Sequence, residues 1–315
     1  MNKTKMISIV VPVYNEEKNI RNICNSLVKL FSKNRFNYEI IFVDDKSIDK
    51  TVDMLEELHF KNNNIKFIEM SRRFGYQESI FAGLKYSSGD AVITMDADFE
   101  HPPELIDKMI IKWEQGFDVV NMVRDSYNQK SILFNIFSKL FYKTINYLSD
   151  IKLVENSADF RLLNRKVVDI IISMPEKNIF LRGLVSWIGF NQCNITYTQN
   201  KRAYGKTKFN FLKSISLATD GLTSFTASPL YLSIYIGFFI SIIGFIYSSW
   251  IIFNYFTKIN YYIQGWSTIV CLQLIIGGLV LIFFGIIGLY LAKIFEEVKN
   301  RPLYMINKMR GFRDQ

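Results

Sequence analysis

Short apolar runs alternate with amphipathic stretches over roughly the first 123 residues of the chain. The apolar runs predict five strands, at Met6–Val11, Tyr38–Val43, Ile65–Met70, Ala91–Met95 and Asp118–Val123. The amphipathic stretches predict helices at Glu16–Phe31, Asp49–Leu58, Gln77–Tyr86 and Pro103–Gln115. Runs of β-branched residues separated by helices indicate a mainly parallel sheet with both faces covered. We therefore predict an α/β fold with a nucleotide-binding type of layout.

Two long stretches near the C-terminus contain no Asp, Glu, Lys or Arg: Gly221–Thr257 and Ile259–Ala292. Each is longer than the roughly 20 apolar residues that cross a bilayer. The alternative is a pair of buried helices in a soluble core, but such helices rarely lack charge for so long. We predict a membrane hairpin within residues 221–295, with spans at about 232–256 and 268–292.

Basic residues flank these spans. Before the first span are Lys206, Lys208 and Lys213, and after the second are Lys293, Lys299, Arg301, Lys308, Arg310 and Arg313. The connecting loop carries only Lys258. By the positive-inside rule, both termini face the cytoplasm. Residues 1–220 are then a cytoplasmic domain without a signal peptide, and residues 296–315 a basic cytoplasmic tail, in a multi-pass protein of the inner (cytoplasmic) membrane.

Composition narrows the chemistry further. The three cysteines fit no motif and suit a reducing compartment, and two histidines are too few for a histidine-based metal site. The net charge of +9 comes without a recognisable nucleic-acid motif, so basic residues beside the spans indicate anionic lipid instead. Two amphipathic segments, about 131–148 and 206–217, can pack on the domain core or lie in the membrane interface.

A pair of carboxylates follows the fourth predicted strand, in Asp96-Ala97-Asp98. Carboxylates at a strand's carboxyl end suit a hard divalent cation that carries a phosphorylated ligand. A capped turn before the helix that starts at Pro102-Pro103 would give the same pattern. The chain has no glycine-rich phosphate loop, so any nucleotide must be held by side chains and metal.

Several further motifs occur in order along the chain. They are Val10–Glu17, Val43–Ser47 with Asp49 and Thr51, Arg73-Phe74-Gly75, Asp96-Ala97-Asp98, Ala158–Leu162, Arg202 through Gly205 to Lys208, Asp220–Phe225 and Glu297–Pro302. Together they resemble the family-2 glycosyltransferases, and within them the polyprenyl-phosphate branch with the dolichol-phosphate mannose synthases and the bactoprenol glucosyltransferases. The resemblance covers nearly the whole chain. It implies a GT-A nucleotide-sugar-binding domain followed by a two-helix transmembrane hairpin.

The resemblance also implies a site for the nucleotide. Pro12, Tyr14 and Glu16 would form the wall around the base, and Asp45 would accept a hydrogen bond from its ring. The alternative for Asp45 is a cap on the helix that begins near Asp49.

The same resemblance implies a metal site for Mg²⁺ or Mn²⁺. Asp98 would be the first ligand, and Asp96 would contact the ribose or the metal. Glu100 departs from the family pattern, since many relatives have Gln there, but a Glu can also ligate. Arg73 stands where many relatives have Asn, which leaves acceptor or sugar contacts at that place open.

Asp159 is implied to lie beside the reacting centre, where it orients the acceptor, balances charge or serves as the formal base. A buried structural pair with Arg161 is the alternative. Arg202 and Lys208, together with Arg124, would hold phosphate charge. The alternative for Arg202 and Lys208 is that they are ordinary anchors before a membrane span.

These features predict an inverting transfer of a sugar, most simply glucose from UDP-glucose, to undecaprenyl or another polyprenyl phosphate. The lipid-linked sugar would serve cell-surface glycan modification such as that of O-antigen, and the enzyme would form a homo-oligomer. Alternatives are a mannose-type or other sugar-specific transferase, or a non-catalytic protein that binds nucleotide-sugar or polyprenyl lipid. A processive polysaccharide synthase is disfavoured, because Ala203 stands in place of the Trp that follows Gln-x-x-Arg in such enzymes.

Overall fold

The computed structural model describes residues 5–125, 154–177, 179–200, 228–256 and 265–312. Both predicted amphipathic segments, about 131–148 and 206–217, lie outside these ranges, as does most of the loop that connects the two predicted spans.

Eight strands form one sheet in the described part of the chain. They are β1 Met6–Val13, β2 Asn37–Asp44, β3 Ile65–Met70, β4 Ala91–Thr94, β5 Val119–Arg124, β6 Ser157–Asn164, β7 Gln192–Tyr197 and β8 Ile306–Arg310. Their order across the sheet is β7-β5-β6-β4-β1-β2-β3-β8. β1 to β4 are mutually parallel and β7 is parallel to β5, whereas β6 and β8 run antiparallel to their neighbours. The predicted mainly parallel α/β sheet is confirmed.

Helices cover both faces of this sheet. They are α1 Glu17–Phe31, α2 Thr51–Lys61, α3 Tyr76–Tyr86, α4 Leu105–Glu114, α5 Arg165–Ser173 and α6 Leu181–Ile188. Because successive strand residues point to opposite faces, Ile9 and Val11 of β1 pack beneath α1, α2 and α4, while Val10 packs beneath α3, α5 and α6. The four helices predicted between the first five strands are present, with ends within a few residues of the prediction.

The predicted basic tail at residues 296–315 is corrected by the structure. Its first residues finish a long helix, and β8 then pairs with β3 at the edge of the sheet. Lys308 of β8 forms an ion pair with Glu56, and the Phe312 ring lies edge-on to Tyr86 at 5.8 Å. Charged side chains are common on edge strands, where they discourage pairing with other molecules. The basic residues of this edge strand therefore made the segment resemble a tail in the sequence.

Two long helices, α7 Ser228–Phe256 and α8 Trp266–Val298, follow the sheet domain. At a rise of 1.5 Å per residue they are roughly 44 and 50 Å long. Many large apolar side chains on them are exposed, including Phe245 and Leu281. The predicted hairpin helices are therefore present as helices. Within the described residues one segment, Ile276–Val298, is long and apolar enough to cross a membrane, and the crossing of both helices stays a prediction.

The strand order places a crevice at one edge of the sheet. β2 and β3 extend the sheet on one side of β1, whereas β4 and β6 extend it on the other. The connections that leave the carboxyl ends of β1 and β4 therefore diverge, and ligands of open α/β sheets bind at such a switch point.

Candidate active site

A tight turn after β4 places two carboxylates in the crevice. The Met95 amide donates to the Val10 carbonyl at 3.1 Å, so the β4 backbone stays on β1 up to Asp96. Asp98 Oδ1 accepts the amide of Glu100 at 3.1 Å, and Phe99 between them adopts a left-handed φ of 64°. Such a conformation is costly for an aromatic residue and is typical of functional sites.

Tyr76 bonds to the first of these carboxylates. Its hydroxyl donates to Asp96 Oδ1 at 2.7 Å. The ring is 40% exposed, but the hydroxyl end lies deep in the crevice, and this burial raises the pKa of Tyr76 well above its usual range. Burial also raises the pKa of Asp96, against the lowering effect of the Tyr76 hydrogen bond. Tyr76 had no predicted role.

A buried histidine supports the turn from below. His101 Nδ1 accepts the Asp96 amide at 3.1 Å, and the imidazole stacks on Phe160 with ring centres 5.0 Å apart. Burial lowers the pKa of His101 to about 4, with the Arg124 charge acting in the same direction. A neutral ring at physiological pH can accept this amide hydrogen bond, so His101 positions the carboxylate turn.

Glu100 has partners other than Asp96 and Asp98. Its Oε2 accepts a hydrogen bond from Gln199 Nε2 and lies 3.9 Å from the guanidinium of Arg124. Within the described ranges no group of three or more His, Cys, Asp or Glu side chains could hold a metal ion. The predicted ligands Asp98, Asp96 and Glu100 do not form such a group there, and the metal site stays a prediction. A cation held by one or two of these carboxylates would take its other ligands from phosphate oxygens and water.

Asp159 lies on β6 in a cluster of guanidinium groups. Arg182 of α6 makes two parallel hydrogen bonds to it, Nε to Oδ1 at 2.9 Å and Nη2 to Oδ2 at 2.7 Å. Arg161 Nη2 is 3.3 Å from Oδ1, so the structural pair considered above is present. Burial alone would raise the pKa of Asp159, but Arg182, Arg161 and Arg124 lower it to about 2.

This environment defines what the Asp159 carboxylate can do. It is ionised at neutral pH, and a group with a pKa near 2 accepts a proton poorly. It holds Arg182, which is 29% exposed, in a fixed orientation toward the crevice. The geometry favours the orienting and charge-balancing roles predicted for Asp159 and does not suit a general base.

Asp45 fixes the loop that leads into α3. Its Oδ1 accepts the amides of Phe74 at 2.7 Å and Gly75 at 3.2 Å, and Arg73 Nε lies 3.6 Å from Oδ2. The alternative role as a cap of α2 is wrong, because Asp49 accepts the amide at the start of that helix. The contact of Asp45 with a nucleobase stays a prediction.

Of the predicted wall of the base site, Tyr14 contacts this loop. The Arg73 guanidinium lies 4.0 Å from the centre of the Tyr14 ring, as a cation over an aromatic face. Pro12 is buried within β1 opposite Val43, and Glu16 accepts a hydrogen bond from Asn19 at the start of α1. Among the three predicted wall residues, Tyr14 thus has the aromatic face with which a base could stack.

Two predicted phosphate ligands, Arg202 and Lys208, lie outside the described residues. Arg124 lies inside the crevice, where its Nη2 is 3.4 Å from His101 Nε2. The structure therefore places Arg124 beside the carboxylate turn and adds Arg182 as a second partly exposed guanidinium.

Residues 8–171 match the model of the family described as "Glycosyl transferase family 2". The chain belongs to this family. An "uncharacterized glycosyltransferase YkcC" of Bacillus subtilis (strain 168) is 39% identical, over 100% of this chain and 97% of the relative. An "uncharacterized glycosyltransferase" of Synechocystis sp. is 38% identical, over 97% and 96%. A prophage-derived "bactoprenol glucosyl transferase" of Shigella flexneri is 37% identical, over 96% and 97%.

The predicted family, enzyme class and fold class are thereby confirmed. This family-2 glycosyltransferase has the α/β sheet of the GT-A type, with its crevice at the switch point between β1 and β4. The relatives match it over nearly its whole length, including α7 and α8.

Gly75 offers a test of the Asp45 loop in this glycosyltransferase. Its φ is +138°, and an added Cβ would lie 2.4 Å from Glu78 Oε2. Gly75→Ala should destabilise the fold by about 1–3 kcal/mol and weaken nucleotide binding, because the amides bound to Asp45 must move. Gly116→Ala is the matched control, since it has φ +96° with open space around it. We expect both to lower the melting temperature and only Gly75→Ala to lower the UDP affinity measured by calorimetry. Equal UDP affinity in the two variants would contradict this.

Proposed function

We propose that the enzyme transfers glucose from UDP-glucose, with inversion, to polyprenyl phosphate at the cytoplasmic face of the membrane. One observation carries the proposal: the chain re-enters the sheet from α8 at the carboxyl end of β3, and the crevice lies at the carboxyl ends of the same set of parallel strands. The Ser71 amide, directly after β3, donates to the Met305 carbonyl at 2.9 Å, and Met70 pairs with Ile306. The 37% identical relative named bactoprenol glucosyl transferase supports the same acceptor.

The short connection keeps the site close to the apolar helix. The residues from Lys299 to Met305 can span at most roughly 25 Å when fully extended. If the segment Ile276–Val298 crosses a bilayer, the crevice lies near the headgroup level of that bilayer. A phosphate at the end of a long lipid reaches this position, so a lipid acceptor fits the geometry.

The charges of the site suit an acceptor that is already an anion. Such a nucleophile does not need a strong general base, which agrees with the low pKa of Asp159. Catalysis then depends on positioning and on charge stabilisation. Arg182 and Arg124 supply positive charge in the crevice, and we assign Arg202 and Lys208 to the acceptor phosphate.

We assign a divalent cation, Mg²⁺ or Mn²⁺, to Asp98 with Asp96 as its neighbour. When bound, such a cation neutralises charge on the leaving diphosphate. One carboxylate oxygen of Asp96 accepts a hydrogen bond from Tyr76, and the Asp96 amide donates one to His101. The carboxylate is therefore oriented before any ligand enters. We do not assign Glu100 to the cation, because its carboxylate contacts Gln199 and Arg124.

The sheet supports two crossings of the membrane. β7 and β8 belong to the same sheet, so the chain leaves and returns to the same side between Tyr197 and Ile306. If α8 crosses the bilayer, a second crossing must precede it, and α7 is the long apolar helix in that interval. We therefore propose a cytoplasmic sheet domain, a short outer loop and two spans. Assembly into a homo-oligomer stays a prediction.

A labelling experiment tests this topology. In a background without native cysteines, Asn260→Cys should react with an impermeant thiol reagent in intact cells, because residue 260 lies in the proposed outer loop. Met305→Cys, which is 56% exposed beside the sheet, should react only after the cells are opened. Labelling of Met305→Cys in intact cells would overturn the arrangement.

The activity itself is tested with purified protein in lipid nanodiscs. Radiolabelled UDP-glucose and undecaprenyl phosphate should give a labelled product that partitions into organic solvent. UDP-galactose, UDP-N-acetylglucosamine and GDP-mannose are supplied in parallel, and inorganic phosphate replaces the lipid as a control. Transfer to lipid from another donor would show that the proposed donor sugar is wrong. The absence of any lipid product would contradict polyprenyl phosphate as the acceptor.

A further inference from the structure

The phenol of Tyr76 stands between the two halves of the crevice. Its hydroxyl bonds to Asp96 on the β4 side and lies within electrostatic reach of Asp159 and Arg182 on the β6 and α6 side. Next to it, Gln77 Oε1 accepts the Leu181 amide at 3.3 Å, which ties the start of α3 to the start of α6. Tyr76 is therefore held at the middle of the site.

The hydrogen bond to Asp96 determines what the phenol can offer a ligand. An ionised carboxylate only accepts, so the phenol proton lies on the Asp96 side. The phenol oxygen keeps lone pairs that face away from this bond. A phosphate oxygen is also an acceptor and gains nothing there, whereas a sugar hydroxyl can donate to it.

The ring adds a second property. The residue is 40% exposed, so part of Tyr76 is accessible while its polar tip is fixed by Asp96. An amphipathic surface of this kind suits a pyranose, which has both an apolar C–H face and hydroxyl groups at its rim. Free phosphate or diphosphate has no such face.

We propose that Tyr76 is a sugar-specificity residue, whose phenol oxygen accepts a hydrogen bond from one hydroxyl of the transferred sugar while its proton stays on Asp96. The inference rests on the proposed function, because that places Asp96 beside the cation at the donor diphosphate; the family resemblance implies that Asp159 lies beside the reacting centre. The inference extends the proposed function by naming the group that distinguishes one sugar from another. The sugar would then lie between the two carboxylates, with its ring against Tyr76.

The test combines Tyr76→Phe with monodeoxy donors. The variant keeps the ring and its volume but removes the lone pairs and the bond to Asp96. kcat/KM is measured for UDP-glucose and for its 2-, 3-, 4- and 6-deoxy analogues, or for the same series on whichever sugar the wild-type enzyme transfers. Tyr86→Phe is the matched control, since Tyr86 ends the same helix and packs on Phe312 away from the crevice.

We expect the wild-type enzyme to disfavour one analogue by about two- to tenfold, the size of one neutral hydrogen bond. Tyr76→Phe should lose that discrimination for the same analogue and keep the wild-type kcat/KM ratios for the other three, whereas Tyr86→Phe should match the wild type for all four. Because Tyr76→Phe also removes the bond to Asp96, UDP affinity can fall, but it should fall less than the affinity for UDP-glucose, since UDP lacks the sugar.

Two results would overturn the inference. One is a Tyr76→Phe enzyme whose ratios for all four analogues equal those of the wild type. The other is an equal loss for UDP and for every donor, which would mean that the phenol only supports Asp96. A failure of the proposed function is seen separately, because it shows as absent lipid product in the wild-type enzyme.

Discussion

Asp159→Asn is expected to lower the unfolding free energy by about 3–5 kcal/mol and to reduce turnover strongly. The substitution removes the charge that faces Arg161, which is 1% exposed, and leaves that guanidinium buried without its counter-ion. It also replaces one of the two carboxylate oxygens that orient Arg182 by an amide donor. Both effects follow from one carboxylate, so stability and turnover should fall together.

Separate variants distinguish the two effects. Arg182→Lys keeps a positive charge beside Asp159 but loses the planar fork, so it should melt close to the wild type and still turn over at least tenfold more slowly. Asp118→Asn is a matched control, because Asp118 is a buried carboxylate paired with Lys166 outside the crevice. It should lower the melting temperature while turnover per folded molecule is kept. An Asp159→Asn enzyme with unchanged melting temperature and turnover would contradict the assignment.

Asp98→Ala is expected to reduce sugar transfer by orders of magnitude, and an excess of EDTA should abolish it in the wild type. The reason is that Asp98 is the first proposed ligand of the cation that neutralises the leaving diphosphate. The measurement is lipid-linked product formed as Mg²⁺ or Mn²⁺ is titrated back after chelation. Full activity in excess EDTA would remove the metal from the mechanism.

Glu100→Ala provides the comparison within the same turn. Because Glu100 contacts Gln199 and Arg124, this variant should lower the rate without changing the metal concentration that gives half-maximal activity. If Glu100→Ala changes the metal concentration for half-maximal activity as much as Asp98→Ala does, Glu100 is a ligand of the cation too. Melting curves of both variants establish that the fold is retained.

The first half of the sheet could be predicted because its strands are buried on both faces. Such strands are predominantly apolar, and β1 to β5 have this character although β2, β3 and β5 each include polar or charged residues. β6 was not predicted, because Asp159 and Arg161 alternate with its apolar residues over the first part of the strand. Both are buried as an ion pair, and the pattern of a single strand does not show that its charges neutralise one another.

The carboxylates of the site could be predicted from motifs, but their partners could not. Asp45, Asp96 and Asp98 follow strands that the sequence predicted, whereas Asp159 lies on β6, and the roles of all four stay predictions. Tyr76 and Arg182 are 20 and 23 residues away from the carboxylates they contact, on helices that only the folded sheet brings together. Neither has a spacing signal, since a tertiary contact of this kind depends on the crossing of whole elements.

The position of β8 has a consequence for how the protein is made. Synthesis runs from the N-terminus, so α7 and α8 are complete before β8 is made. Until then β3 remains an open edge, able to pair with other chains. If α7 and α8 form the proposed membrane hairpin, closure of the sheet reports that both helices have been synthesised and that the two ends of the hairpin lie on one side. A molecule with wrongly inserted helices would then keep this edge exposed, where chaperones and proteases can recognise it.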